Sequence, residues 1–148
     1  MLGIDANAAA LREVSKRARK RRVNNVLFGV LALERAPGEI AGLASSLTVL
    51  LPWGSLLHAV AHGDVGPLLA TCRAGAEVRL VFGYGAIDQQ REALPSLEPA
   101  DVVARYAARG VAIDARALDD LRALGTTWAN KLAFSRHARR FVDVRLTR

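Results

Sequence analysis

The 148-residue chain has few of the residues on which several kinds of site depend. It contains one cysteine, Cys72, so neither an intramolecular disulfide nor a cysteine-rich metal centre can form. The three histidines, His58, His62 and His137, have no metal-ligand spacing with that cysteine or with one another, and we predict no metal site. No Ser-His-Asp or Cys-His arrangement can be identified either, which disfavours nucleophilic catalysis of that type.

Long hydrophobic runs are also lacking. The longest, residues 47–57, is interrupted by four polar or turn-forming residues and falls short of the ~20 residues that cross a bilayer. The N-terminal MLGIDANAAA has neither the basic segment nor the apolar stretch of a secretory signal. We therefore expect a cytoplasmic protein with no membrane-bound part. The composition, 51% hydrophobic and 24% charged, is typical of one globular domain with one core.

Positive charge is in excess, with a formal net charge of +7, and it is concentrated at the two ends of the chain. Residues 1–22 hold seven basic and two acidic side chains, residues 126–148 hold six and one, and the stretch between is slightly acidic. RNA, DNA and anionic membranes are therefore the first partners to consider. In the predicted first helix, one side carries a stripe of cations, and we favour RNA contact over a solvated face for it. The stripe consists of Arg12, Lys16, Arg17, Lys20 and Arg21.

Short apolar runs alternate with helical segments, which predicts an α/β layer fold. The predicted strands are residues 2–4, 25–33, 47–51, 76–82, 111–117 and 141–147. The predicted helices are residues 6–22, 55–61 and 98–109, with a helical turn at 68–74 and a short helix or ordered loop at 126–134. The continuous apolar runs at 25–33 and 47–51 are expected to be central, parallel strands. Residues 83–97 show no period.

Three residues stand where α/β proteins hold ligands. Trp53 lies in a Pro-Trp-Gly turn directly after a predicted strand, which places its ring and free backbone carbonyls at the carboxyl edge of the sheet. Trp128, the other tryptophan, is also in a loop-like context, so the two rings are candidates for a stacking clamp around a flat base. Asp5 follows a strand and precedes a helix, where a carboxylate either binds ribose hydroxyls or caps the helix.

These segments occur in the order and at the spacing of a known family. The chain from Gly3 to its end resembles the aminoglycoside-resistance 16S ribosomal RNA (adenine 1408, N1)-methyltransferases. The resemblance is carried by Gly3-Ile4-Asp5, the basic helix, Ala32-Leu33-Glu34 followed by Pro37, Leu51-Pro52-Trp53-Gly54-Ser55, and Thr127-Trp128-Ala129 leading into Lys131-Leu132-Ala133-Phe134. It implies one Rossmann-like class I S-adenosyl-L-methionine-dependent methyltransferase domain over residues 1–148. The implied substrate is 16S rRNA in the 30S subunit, and we expect a monomer.

The resemblance also implies roles for individual residues. Asp5 would bind the ribose of S-adenosyl-L-methionine, and Leu33 and Glu34 would border its adenine. The methyl-donor pocket would be walled by Leu50, Leu51, Pro52, Trp53, Gly54 and Ser55 together with Thr126, Thr127 and Trp128. Trp53 and Trp128 would sandwich the flipped adenine of the substrate, and a backbone carbonyl near Pro52 would help to align it. The rRNA phosphates would be held by Lys16, Arg17, Lys20, Arg21, Lys131, Arg136, Arg139 and Arg140.

The chemistry of the implied reaction agrees with what the sequence lacks. Adenine N1 carries a lone pair and no proton, so methyl transfer needs orientation of the base and no general base. N1-methyladenine forms as a cation, which two indole faces would stabilise by cation–π attraction of ~0.5 to 2 kcal/mol. A catalytic histidine is therefore not expected.

Two departures from the family pattern qualify the resemblance. Family members have a strand and a glycine-rich loop before the first element found here, whereas Gly83-Tyr84-Gly85 follows a late strand. We therefore expect an N-terminally incomplete fold with unpaired backbone groups in the sheet and weak cofactor binding. Asn130 replaces a second basic residue before Lys131. The alternative function is a non-catalytic RNA-binding remnant, and a small-molecule methyltransferase is disfavoured by the basic ends.

Overall fold

The computed structural model describes residues 1–134 and 138–148. Within these residues the strands are β1 (Leu2–Asp5), β2 (Leu27–Val30), β3 (Ala44–Leu50), β4 (Cys72–Gly85), β5 (Asp114–Ala117) and β6 (Arg139–Thr147). The α-helices are α1 (Ala8–Lys20), α2 (Gly54–His62), α3 (Gly66–Ala70), α4 (Ala86–Arg91), α5 (Pro99–Ala107) and α6 (Thr127–Ala133). Short 3-10 helices cover Leu33–Arg35, Gly38–Ile40 and Leu121–Leu124. The described helices include none that is long and apolar enough to cross a bilayer.

The strands form two sheets: a parallel pair, and a four-stranded sheet that contains both parallel and antiparallel pairs. β1 and β2 pair in parallel through the crossover helix α1. The larger sheet has the order β3-β4-β6-β5, in which β3 and β4 are parallel and β6 is antiparallel to both of its neighbours. Parallel strands need a crossover connection, and α2 and α3 supply the one between β3 and β4. The α/β class predicted from the sequence is confirmed.

The sheet is divided between β1 and β3. In the described part of the chain, neither strand has a second pairing partner. The Asp5 carbonyl accepts from the Leu31 N–H at 3.2 Å, so the backbone groups of Asp5 point towards β2. Because successive residues of a strand direct their backbone groups to opposite sides, those of Ile4 point to the other edge of β1, which is open. Within the described residues, this edge of β1 has no strand beside it.

The expectation that residues 25–33 and 47–51 form central strands is wrong in this structure. In the residues that the structure describes, β2 pairs with β1 alone, and its Leu27 and Val30 are 73% and 59% exposed. β3 likewise ends the larger sheet. An apolar run indicates that a strand can be buried, but whether the strand is central or at the edge of a sheet depends on which other strands pair with it.

Several element boundaries differ from the sequence prediction. β4 begins at Cys72 inside the expected helical turn, because that turn ends as α3 and the chain then pairs with Ala44. β2 is shorter than predicted, and its last expected residue, Leu33, begins a 3-10 helix. α4 was not predicted, since its six residues are too few to show a helical period.

The main core lies between the larger sheet and helices α2, α3 and α5. Its fully buried members include Val60, Leu80, Val102 and Tyr106. The Tyr106 hydroxyl donates to the Val60 carbonyl at 2.8 Å, which joins α5 to α2 in the core. Burial raises the pKa of Tyr84 to about 12, although Arg105 opposes the rise, so this phenol stays a neutral donor to the Pro95 carbonyl. These contacts therefore hold α2 and α5 in place against the larger sheet.

Asp143 in β6 is a buried carboxylate surrounded by arginines. It accepts hydrogen bonds from Arg79 Nε and Nη2, both at 3.0 Å, and from Arg116 at 3.2 Å. Burial alone would raise the pKa of Asp143, but hydrogen bonds from Arg79 and Arg116 and the charge of Arg145 hold it below its ordinary value. The cluster ties β4, β5 and β6 together through side chains.

Replacing this carboxylate should destabilise the fold. Asp143→Asn removes the charge but keeps the shape, and we expect a loss of about 2 to 3 kcal/mol in the free energy of unfolding, the value of charge-assisted hydrogen bonds. Because folding lowers the pKa, the stabilisation is present above the ordinary carboxyl pKa and is lost as pH falls towards the folded-state pKa. Urea unfolding from neutral to acid pH measures both effects. Glu39→Gln, at an exposed position, is the control, and an equal response of both variants would contradict the prediction.

Candidate active site

A cleft of about 460 Å³ lies between the two sheets. Its walls come from the β1–α1 junction, the 3-10 helix after β2, the carboxyl-terminal half of β3 and the start of α2. Eight of the twelve residues that the sequence assigned to cofactor binding line it: Asp5, Leu33, Glu34, Leu50, Leu51, Pro52, Trp53 and Ser55. Gly54, Thr126, Thr127 and Trp128 are not among its walls. The structure therefore brings together three segments that are far apart in sequence.

Asp5 ends β1 at the mouth of this cleft. Its Oδ1 accepts from the Asn7 N–H at 2.8 Å, which fixes the orientation of the carboxylate. Asn7, not Asp5, caps α1, because the Asn7 side chain accepts from the N–H groups of Ala9 and Ala10. The helix-cap alternative for Asp5 is thus wrong, and its carboxylate retains the capacity to accept hydrogen bonds from a ligand.

Glu34 and Ser55 connect two walls of the cleft. Leu33, which begins the 3-10 helix after β2, is buried at 7% exposure, so the adjacent Glu34 is held at the surface of the cleft. The Ser55 hydroxyl in the first turn of α2 donates to Glu34 Oε1. This contact joins segments 21 residues apart, and no sequence pattern predicts it.

The chain between β3 and α2 has an unusual backbone. Leu51 has φ +53° and Gly54 has φ +57°, so two residues of this short turn are left-handed. Left-handed leucine is strained, and here it is held by the burial of its side chain and by its N–H, which donates to the Val81 carbonyl at 2.7 Å. Among the described residues no donor reaches the Pro52 carbonyl. Trp53 follows at the N-cap of α2, with its ring half-exposed.

Trp53 and Trp128 meet at the rim of the cleft. Their ring centroids are 6.2 Å apart, with an interplanar angle of 68°. Trp128 is in the first turn of α6, which Thr126 caps by accepting from the Ala129 N–H at 3.0 Å. The indoles are 50% and 42% exposed, which is unusual for tryptophan. A base between them needs parallel faces roughly 7 Å apart, two van der Waals separations, so the rings must rotate to accept one.

Arg139 lies next to this pair rather than on the open surface. Its guanidinium carbon is 5.4 Å from the centroid of the Trp53 ring, and Asp88 of α4 is 3.8 Å from Arg139 Nη2. The Arg139 side chain is only 18% exposed. Asp88, which no sequence pattern singled out, also accepts from the Gly85 N–H at 3.4 Å. The Trp53 ring is therefore supported by a cation anchored to the start of α4.

The other predicted RNA ligands are mostly exposed. Lys16, Arg17 and Lys20 are exposed on α1, and Arg21 follows at its C-cap. Lys16 pairs with Glu13 at 3.1 Å. Lys131 is exposed on α6, and Arg140 forms an ion pair with Glu98 at the start of α5. Arg136 lies outside the described residues.

Comparison with known proteins gives a consistent result. The family described as "NpmA: 16S rRNA (adenine(1408)-N(1))-methyltransferase" matches residues 1–146. The 16S rRNA (adenine(1408)-N(1))-methyltransferase of Escherichia coli is 27% identical, over 91% of this chain and 70% of that protein. The protein of the same description from Streptoalloteichus tenebrarius is 28% identical, over 92% and 70%. A variant of such an enzyme from Catenulisporales acidiphilia, crystallised with the cosubstrate SAM, is 26% identical and superposes with a TM-score of 0.79, over 99% of this chain and 73% of that one.

Proposed function

Because the chain belongs to the 16S rRNA (adenine(1408)-N(1))-methyltransferase family, we propose that it transfers a methyl group from S-adenosyl-L-methionine to N1 of that adenine. The observation that carries the proposal is the meeting of the half-exposed Trp53 and Trp128 at the rim of a cleft that also contains Asp5. The substrate is 16S rRNA, in the form of the intact 30S subunit. The chain acts on it as a cytoplasmic monomer, and the modification gives aminoglycoside resistance.

The residues of the cleft fit the nucleoside part of S-adenosyl-L-methionine. Its volume, about 460 Å³, lies in the range of ligand pockets, roughly 300 to 1,000 Å³. Asp5 would accept hydrogen bonds from the ribose hydroxyls, as a carboxylate at a strand end does in dinucleotide-binding folds. Leu33 and Glu34 would border the adenine. The chemistry that the cofactor supplies when bound is a methyl group on a positively charged sulfur, and no lysine or arginine of the described residues lines the cleft to oppose that charge.

The two tryptophans hold the substrate adenine. One indole stacks on each face of the flipped base, which fixes the plane of the ring and excludes water from it. The Pro52 carbonyl, free of protein donors in the described part of the chain, accepts from the exocyclic amine of the adenine and so sets the rotation of the base within that plane. These two restraints direct the N1 lone pair into the cleft.

Orientation is the main catalytic contribution of the protein. N1 has no proton to remove, so no side chain acts as a base, and the rate depends on holding N1 in line with the methyl group. The indole faces of Trp53 and Trp128 favour the positive charge that develops on the base. The Arg139 guanidinium supports Trp53 from the side of α4.

Methylation of purified 30S subunits tests the proposal directly. The chain is incubated with 30S subunits and saturating S-adenosyl-L-methionine, and primer extension is expected to stop at adenine 1408. Asp5→Asn tests the cofactor site, because the amide oxygen still accepts from the Asn7 N–H while the charge and one acceptor are lost. We expect its cofactor affinity to fall by about tenfold or more, the value of one or two hydrogen bonds to a charged group.

A folded chain that binds 30S subunits and leaves the adenine unmodified would contradict the catalytic proposal. That result would favour the alternative function of RNA binding without catalysis. The observation that favours this alternative is that β1 and β3, which both border the cleft, belong to two separate sheets. Methylation of another nucleotide would contradict the assigned substrate alone.

A further inference from the structure

Phe134, directly after α6, holds an aromatic ring in solvent. It is 74% exposed, more than any other aromatic side chain of the described residues. A packed phenylalanine buries on the order of 150 Å² or more and contributes strongly to a core or an interface. A ring left in solvent at this position forfeits most of that contribution.

Arg122 covers part of this ring. Its guanidinium carbon is 4.8 Å from the ring centroid of Phe134, a distance typical of a cation–π contact. Arg122 belongs to the 3-10 helix Leu121–Leu124, which packs against α6 and is capped by Asp120, whose Oδ1 accepts from the Arg122 N–H at 2.9 Å. The pair is therefore held by two packed elements, and most of the phenylalanine ring remains accessible.

Phe134 and the two tryptophans are connected through α6. Trp128 is in the first turn of this helix and Phe134 directly follows its end, six residues later, a rise of roughly 9 Å at helical geometry. Lys131 is exposed between them on the same helix. An RNA strand that inserts a base between Trp53 and Trp128 therefore passes beside α6, the helix that Phe134 follows.

We propose that Arg122 and Phe134 form a second stacking platform, which binds an unpaired base next to the adenine held by Trp53 and Trp128. The proposal rests on the proposed function, because it takes the same RNA as ligand. Every base presents a π-face that stacks on phenylalanine and on a guanidinium plane, so the platform needs no particular sequence. The Lys131 ammonium is placed to meet the phosphate of that nucleotide.

The Arg122 guanidinium over the ring favours an RNA base over an apolar protein partner, because an apolar interface would bury this charge without a partner. Asp119 and Asp120 lie nearby, in the walls of an adjoining cleft of about 690 Å³ that Arg122 also lines. The surroundings of the platform are therefore of mixed sign. Stacking rather than charge should provide most of its affinity, and a Phe134 variant should leave the salt dependence of RNA binding unchanged.

Substitution of Phe134 tests the platform. Phe134→Ala is expected to weaken binding of the full chain to 30S subunits and to protein-free 16S rRNA by about 5- to 100-fold, the range measured for loss of one stacked base. Phe134→Trp should bind within about threefold of the parent chain, whereas Phe134→Leu, equally apolar but without a π-face, should not restore binding. Leu43→Ala is the matched control, because Leu43 is 70% exposed and precedes β3 at the opposite end of the strand from the cleft.

Three results would contradict the proposal, and each would show a different part of it to be wrong. Parent-like binding by the alanine and leucine variants, with a parent chain that binds and methylates, would overturn the platform and leave the proposed function intact. A loss seen with 30S subunits but not with protein-free rRNA would assign Phe134 to a ribosomal protein and overturn the RNA ligand. A parent chain that binds neither probe would overturn the proposed function and the platform together.

Discussion

Replacing Trp53 or Trp128 by alanine is expected to lower methylation of 16S rRNA by at least about 100-fold, because a misoriented base loses its in-line geometry. Affinity for 30S subunits should fall by no more than one stacked base contributes, about 1 to 3 kcal/mol. Phenylalanine at either position should restore part of the activity, since it keeps a smaller π-face. Primer extension at the target adenine measures methylation, and filter binding measures affinity.

The geometry of the pair makes this prediction specific. The rings now meet edge to face at 6.2 Å, so each must turn before a base can enter. Trp53 has Arg139 beside it, while Trp128 is placed by a helix of seven residues. We therefore expect Trp128 to move more than Trp53 when RNA binds. Full methylation by either alanine variant would exclude a two-sided sandwich, and loss of 30S binding as large as the loss of methylation would make the tryptophans docking residues instead.

The sequence predicted well those parts of the fold that depend on local patterns. α1, α5 and β6 lie close to their expected ranges, because helical periodicity and strict alternation are visible within a dozen residues. The division of the sheet at β1 and β3 depends on which strands are neighbours, and no local pattern records this. α4 is too short to show a period.

The same distinction applies to the site. Trp53 and Trp128 were singled out because each stands in a loop-like context beside polar residues, and the structure brings them together. The support of Trp53 by Arg139 and Asp88, and the contact of Ser55 with Glu34, join segments that are distant in sequence. A single sequence holds no record of such contacts. Assignment of Arg139 to a phosphate remains a prediction, whereas its place beside the indole is observed.

Reversal of two charges at the end of α1 is expected to reduce 30S affinity by one to two orders of magnitude. In the double variant Lys20→Glu and Arg21→Glu, about two phosphate contacts are lost and two repulsive charges are gained. The slope of log affinity against log salt should therefore fall by about two. Filter binding of 30S subunits over a salt series measures both quantities. Arg73→Glu, exposed at the amino end of β4, is the control for net charge, and an effect of charge alone would give it about half the loss of the double variant, because it reverses one cation rather than two.

The structure also offers a reason for these cations that involves no RNA. Arg17, Arg19 and Lys20 occupy the last turn of α1, where positive charge offsets the helix dipole by roughly 0.3 to 1 kcal/mol per residue. If that were their whole role, the double variant would lose up to about 2 kcal/mol of stability by this term and would keep the salt slope of the parent chain. Phosphate binding predicts a reduced slope whatever the change in stability, because the helix-dipole effect is present in either case. The salt series therefore separates a surface that binds rRNA from a helix end stabilised by its own cations, and thermal unfolding of the variant measures how large the second contribution is.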